Sequence, residues 1–345
     1  MGLLLVALAL STAASCSRPA DASSVPPTRP AGTLLGAGAT FPAPLYHHWF
    51  EEYQKRNPRV VVAYEAVGSG AGVKSFLADA VDFGASDTAM SDDEISRAPR
   101  GTRMIPMTIG SVALAYNLPG VPEGLKLSRE AYVGIFRGDI TYWDDARIKT
   151  WNPRPLPHQQ IAVVTRFDSS GTTFAFTNHL AAISTRWALG PGAGKTIDWP
   201  GAAMDARGNE GVAAMINRTP GAIGYVELGF AEKAGLSVAV LENKCKNFIA
   251  PSAEAGSIAL GDVDLPDNLR AFFPDPPAIT AYPIVTFTWI LTPSRLETAE
   301  KAAVMRDLLT WCLTEGQNES QRLGYSPLPP KAAQMALAKV RQIQP

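Results

Sequence analysis

The stretch Val163-Val164-Thr165-Arg166-Phe167-Asp168-Ser169-Ser170-Gly171-Thr172-Thr173-Phe174 joins an apolar, strand-like run to a turn and then to residues suited to a helix. Ser170, Gly171 and Thr172 fall where that helix begins, so their backbone N–H groups lack intrahelical acceptors and sit at the positive end of the helix dipole. A terminus of this kind seats an anion. Arg166 stands just before it with a planar fork of donors suited to a tetrahedral oxyanion. Asp168 is near enough in sequence to hold that guanidinium in place. The same residues also read as an ordinary turn and N-cap beside a solvated Arg-x-Asp pair. What separates the two readings is whether the junction recurs.

It recurs in the first third of the chain. Leu34-Leu35-Gly36-Ala37-Gly38-Ala39-Thr40-Phe41-Pro42-Ala43-Pro44 turns through glycines into a proline-started helix expected over 45–56, with Tyr46, Trp49, Phe50 and Tyr53 at helical spacing. The run Val60-Val61-Val62-Ala63-Tyr64 leads to Gly68-Ser69-Gly70-Ala71-Gly72 and a helix expected over 73–80. Val81-Asp82-Phe83-Gly84-Ala85-Ser86-Asp87 ends in a carboxylate just ahead of a helix expected over 91–97. The alternation predicts an α/β protein and puts Thr40, Ser69 and Asp87 on one rim, at the C-terminal ends of strands, where open α/β sheets bind ligands. Asp87 has a second reading as a helix N-cap.

Farther along, 105–115 is apolar, Gly208-Asn209-Glu210-Gly211 heads a helix, and Pro220-Gly221-Ala222-Ile223-Gly224-Tyr225-Val226 is strand-like. Gly190-Pro191-Gly192-Ala193-Gly194-Lys195-Thr196 looks like a phosphate-binding P-loop, but Leu189 stands where that motif needs glycine, so the segment reads as a loop. The apolar run over 281–291 and amphipathic helices over 296–313 and 330–343 are expected to pack back on the first unit.

The 345 residues are 46% hydrophobic with a net charge of -1, enough for a large core over two domains and without the basic surface that nucleic acid demands. Residues 1–16 form a short apolar leader ending in small residues and Cys16, too short to span a bilayer. The leader resembles a lipoprotein cleavage box, with Cys16 as the lipidated residue; a plain secretory signal is the alternative. Residues 17–32, rich in Pro, Ser and Ala, read as a disordered tether. Cys245 and Cys312 could pair after export or stay free. The four histidines have no metal-ligand spacing, and no cofactor is called for.

These motifs, in this order, together with Gly138-Asp139-Ile140 and Leu313-Thr314-Glu315-Gly316, resemble the phosphate receptor of bacterial high-affinity phosphate ABC importers, the PstS family. The resemblance runs from about residue 35 to 340. It implies a two-domain, periplasmic-binding-protein-like α/β fold with the ligand cleft between domains. One domain takes 33–108 with 284–345 and the other 109–283, with crossings near 106–110 and 282–286. It also implies phosphate contacts at Thr40, Phe41, Ser69, Asp87, Arg166, Ser170, Gly171 and Thr172, with Asp168 orienting Arg166. The implied protein is an extracytoplasmic solute-binding protein that delivers phosphate to membrane permease subunits and is not an enzyme. Its implied place is the periplasm or cell surface, lipid-anchored if Cys16 is modified. Ser169 departs from the family's frequent glycine and would be strained if the position needs a positive φ.

Two alternatives stay open. An exported hydrolase could use Ser69 or Ser170, although neither lies in a Gly-x-Ser-x-Gly elbow or has a histidine near it in sequence. A sensor or binding protein for another oxyanion would keep the fold.

Overall fold

A computed structural model describes residues 32–261 and 263–345. The leader, Cys16 and the tether up to residue 31 lie outside them.

The expected apolar runs become one 9-stranded sheet among the described residues. Across it the order is Val61–Ala66, Thr33–Gly38, Phe83–Ser86, Val285–Thr292, Arg103–Asn117, Ala222–Glu227, Ala162–Arg166 and Ala203–Ala206, with Ser237–Val238 also pairing with the long strand. Thr33–Gly38 pairs in parallel with both its neighbours, and so does Ala162–Arg166. Each parallel trio therefore turns a set of strand ends, and the helix starts that follow them, toward one region.

The two trios are joined by antiparallel strands that are buried almost throughout, which is why they read as continuous apolar runs. The first part of the 15-residue strand Arg103–Asn117 pairs with Val285–Thr292, up to Ser111 opposite Val285. From Val112 it pairs with Ala222–Glu227 instead. The register slips between Thr288 and Trp289, which lie opposite Thr108 and Pro106, leaving Met107 as the extra residue. Pro106 cannot donate to the ladder, so a bulge beside it is the physical outcome.

The helix Ala43–Arg56 buries Tyr46, Trp49, Phe50 and Tyr53 as its spacing predicts, and Trp49 Nε1 donates to Gly316 O at 2.7 Å. Two of the boundaries that differ from the sequence expectation bear on the site. The helix expected over 73–80 is Ser69–Leu77, because Gly68 takes φ +98° and the chain turns directly into it, so Ser69 is helical rather than in a loop. The helix after Asp87 is Asp92–Ser96, and its cap is Ser91, which forms a capping box with Glu94. Asp87 is therefore not an N-cap.

Ser169 is absent from the non-glycine residues with positive φ, which among the described residues are Asp79, Lys246 and Leu269, so serine is unstrained there. Cys245 is exposed and Cys312 buried, and both are free thiols. Among the described residues no helix is long and apolar enough to cross a membrane.

Candidate anion-binding site

The strand Ala162–Arg166 delivers Arg166 at its last position, with a side chain only 2% exposed. Asp168 takes two of its donors, Nε at 2.7 Å and Nη2 at 2.5 Å. Burial alone would raise the Asp168 pKa, but the guanidinium and the Gly208 N–H hold this carboxyl below its usual range. Nη1 is buried and has no partner among the described residues. An unsatisfied guanidinium nitrogen is costly away from water, so a ligand anion is the group that fits it.

The pair needs a close backbone opposite. A Cβ at Gly68 would lie 2.6 Å from Asp168 Oδ2, and its φ of +98° also favours glycine. Between the two trios, Gly70 N–H donates to Ser169 O at 3.0 Å, and in the reverse direction Gly171 N–H donates to Ser69 Oγ at 3.1 Å. A Cβ on Gly171 would come within 2.7 Å of Ser69 Oγ and 2.6 Å of Asp87 Cβ. The two trios thus close on each other through glycine backbone.

Ser170 caps its own helix, its Oγ accepting from Thr173 N–H at 3.1 Å, and its N–H donates to Lys195 O at 2.9 Å. With the Gly171 N–H on Ser69, two of the three N–H groups expected to be open are held by protein acceptors, one from the opposing trio and one, Lys195 O, from the loop after residue 190.

Asp87 is 1% exposed and accepts from Thr288 Oγ1 at 2.8 Å and from Ser69 Oγ at 3.3 Å. Burial pushes its pKa up to about 7, against the lowering pull of Thr288, Arg166 and Ser69. A buried carboxylate beside Arg166 gives the site an acceptor among donors, poised to hold or release a proton near neutrality.

Thr40 Oγ1 accepts from the Asn209 N–H at 3.2 Å and from Asn209 Nδ2 at 2.8 Å, and the same amide reaches Thr172 Oγ1 at 3.3 Å. Phe41 belongs to the core: a Cβ on Gly110 would meet its ring at 2.4 Å, and its carbonyl accepts from Tyr325 OH at 2.7 Å. A groove of about 910 Å³ opens beside Thr40 between the helices Ala43–Arg56 and Gly208–Arg218.

Hydrogen bonds link Ser69 with Asp87 and Gly171, Arg166 with Asp168, and Thr40 with Thr172 through Asn209, while Phe41 and Ser170 join these groups only as chain neighbours of Thr40 and Gly171. Sequence reasoning missed Asn209, Thr288 and Tyr225, whose hydroxyl accepts the Arg166 N–H at 3.1 Å. Asn209 carried a signal as a helix-start residue after glycine. Thr288 carried another, a hydroxyl inside a fully buried strand.

The hydrolase reading is not favoured, because neither serine is hydrogen-bonded to a histidine among the described residues. The hydroxyls of Ser69 and Ser170 are engaged by Asp87 and by backbone N–H groups. His179 bonds Tyr132 and Pro274 O, and His158 bonds Asp144. Among the described residues no group of three or more His, Cys, Asp or Glu is placed to hold a metal.

Known proteins carry the same framework. A family profile described as a PBP superfamily domain matches residues 23–315. The phosphate-binding protein PstS of Methanocaldococcus jannaschii is 39% identical over 331 residues, covering 89% of this chain and 85% of that one. PstS of Pasteurella multocida is 35% identical over 316 residues, covering 90% and 91%. Among solved structures, a high-affinity periplasmic phosphate-binding protein bound with phosphate superposes with a TM-score of 0.73 at 23% identity, covering 89% of this chain and 93% of that one; at that identity it speaks for the fold alone. With the profile covering most of its length and relatives at this identity matched nearly end to end, the chain belongs to the PstS family of phosphate-binding proteins.

Proposed function

We propose that this protein captures inorganic phosphate between its two units, 33–108 with 284–345 and 109–283, and delivers it to the permease subunits of a phosphate ABC importer without turning it over. The observation that carries the reading is Arg166, buried, oriented by Asp168 and left with one unpartnered nitrogen. Around it lie the hydroxyls of Thr40, Ser69 and Thr172, and the Asp87 carboxyl, which suits an anion that still holds a proton. The relatives' printed names, phosphate-binding proteins, support the same ligand. The proposed contacts are Thr40, Phe41 through its main chain, Ser69, Asp87, Arg166, Ser170, Gly171 and Thr172. Ser170 would act chiefly by shaping the helix start, since its own N–H and Oγ are engaged. The proposed place of work is the periplasm or cell surface, with a lipid on Cys16 as the anchor.

Calorimetry checks this directly. The expected result is one phosphate bound per chain, with no product released from p-nitrophenyl phosphate under the same conditions. Release of nitrophenolate that Ser69→Ala abolishes would restore the hydrolase.

A further inference from the structure

Asn209 is the second residue of the helix Gly208–Arg218 and is 1% exposed. Every polar atom of its side chain is engaged. Oδ1 accepts from Glu227 N–H at 2.9 Å. A backbone N–H only donates, so the amide oxygen has to face it, which turns Nδ2 toward Thr40 Oγ1 at 2.8 Å and Thr172 Oγ1 at 3.3 Å. The Asn209 N–H adds a second donor to Thr40 Oγ1 at 3.2 Å.

The two hydroxyls come from opposite sides of the cleft. Thr40 follows the strand Thr33–Gly38, whereas Thr172 lies in the helix Gly171–Ile183 of the other trio. A hydroxyl oxygen has two lone pairs, and on Thr40 both are taken by N–H donors, so its proton is free only to donate elsewhere. Thr172 is biased the same way by its one donor.

We propose that Asn209 is a positioning residue for the anion: by donating to Thr40 and Thr172 at once, it makes both hydroxyls present their protons to the ligand. This inference rests on the phosphate reading above. Its chemical consequence is a sorting of phosphate oxygens. Those facing Thr40, Thr172 and Arg166 meet only donors and have to be unprotonated, which leaves the Asp87 side of the site for the oxygen that carries the proton. Asn209 would thus set which way the phosphate lies without touching it.

The test is a double-mutant cycle read by calorimetric phosphate Kd on wild type, Asn209→Ala, Thr40→Val and the double variant. If Asn209 acts through the Thr40 hydroxyl, Asn209→Ala weakens binding by about tenfold or more alone, but by less than about threefold once Thr40→Val has removed that hydroxyl. A purely structural role for Asn209 gives the same factor in both backgrounds, and that outcome overturns the proposal. Thermal unfolding without phosphate checks that each variant is folded. Should Asn209→Ala fail to fold, Asn209→Ser takes its place in the cycle, since it keeps a small polar residue at the helix start and removes the Nδ2 donor without adding charge. It is expected to weaken phosphate in the wild-type background and to lose most of that effect on Thr40→Val. Wild type that binds phosphate with additive losses removes only the role of Asn209; wild type that binds none removes the functional reading as well.

Discussion

Arg166→Ala is expected to weaken phosphate binding by about 3–5 kcal/mol, two decades or more in Kd, because it leaves a desolvated oxyanion without its charged donor. The side chain is 2% exposed and gives Nε and Nη2 to Asp168. Part of the loss would come from Asp168, left half-buried without its partner. Asp168→Asn separates the contributions: it loosens the guanidinium but keeps it, so its loss should be smaller. Arg166→Lys keeps the charge without the planar fork and should fall between the two. Calorimetric isotherms for the three variants give the ranking, and an unchanged isotherm for Arg166→Ala would remove this residue from the site.

Asp87→Asn is expected to change selectivity, with sulfate binding strengthened by roughly two decades relative to phosphate, the scale of a removed like-charge contact. Phosphate near neutral pH brings a proton that the Asp87 carboxylate accepts; sulfate brings none and meets only lone pairs and like charge. The competing view of Asp87 as a helix cap is closed by geometry, because Ser91 caps that helix and Asp87 bonds Thr288 and Ser69 instead. Burial lifts the Asp87 pKa to about 7, which fixes the sign of the pH dependence. Below that pH the carboxyl is protonated and donates to sulfate; above it the carboxylate repels. Sulfate affinity of the wild type should therefore fall as pH rises through about 7, and that of Asp87→Asn should stay flat. A phosphate-to-sulfate ratio unmoved by Asp87→Asn in paired titrations would end the selector role.

The strand-to-helix junctions could be read from the chain because their signals are local: an apolar run, a glycine, a hydroxyl residue, then helical spacing. That much placed Thr40, Ser69 and Asp87 on one rim and marked Arg166 as the head of a further junction. Other features depend on residues far apart in sequence. Thr288, the partner of Asp87, lies 201 positions away in a strand that reads only as buried. Asn209 meets Thr40 across 169 positions. The Ser170 N–H looks open when its helix is considered alone, and only the fold of the loop after residue 190 brings Lys195 O to it. The capping box of Ser91 and Glu94 was itself a local signal, and it decides that Asp87 is free for another role. The bulge beside Pro106 likewise follows from a residue without an N–H, but its location needed the register with Trp289.

The most direct test of the phosphate site is a crystal structure determined with phosphate. The expected result is a tetrahedral ion bonded to Arg166 Nη1, to the hydroxyls of Thr40 and Thr172 and, through one oxygen, to the Asp87 carboxyl. Phosphate bound instead in the open groove beside Arg207 and Lys233, with Arg166 Nη1 bonded to protein or solvent alone, would contradict it.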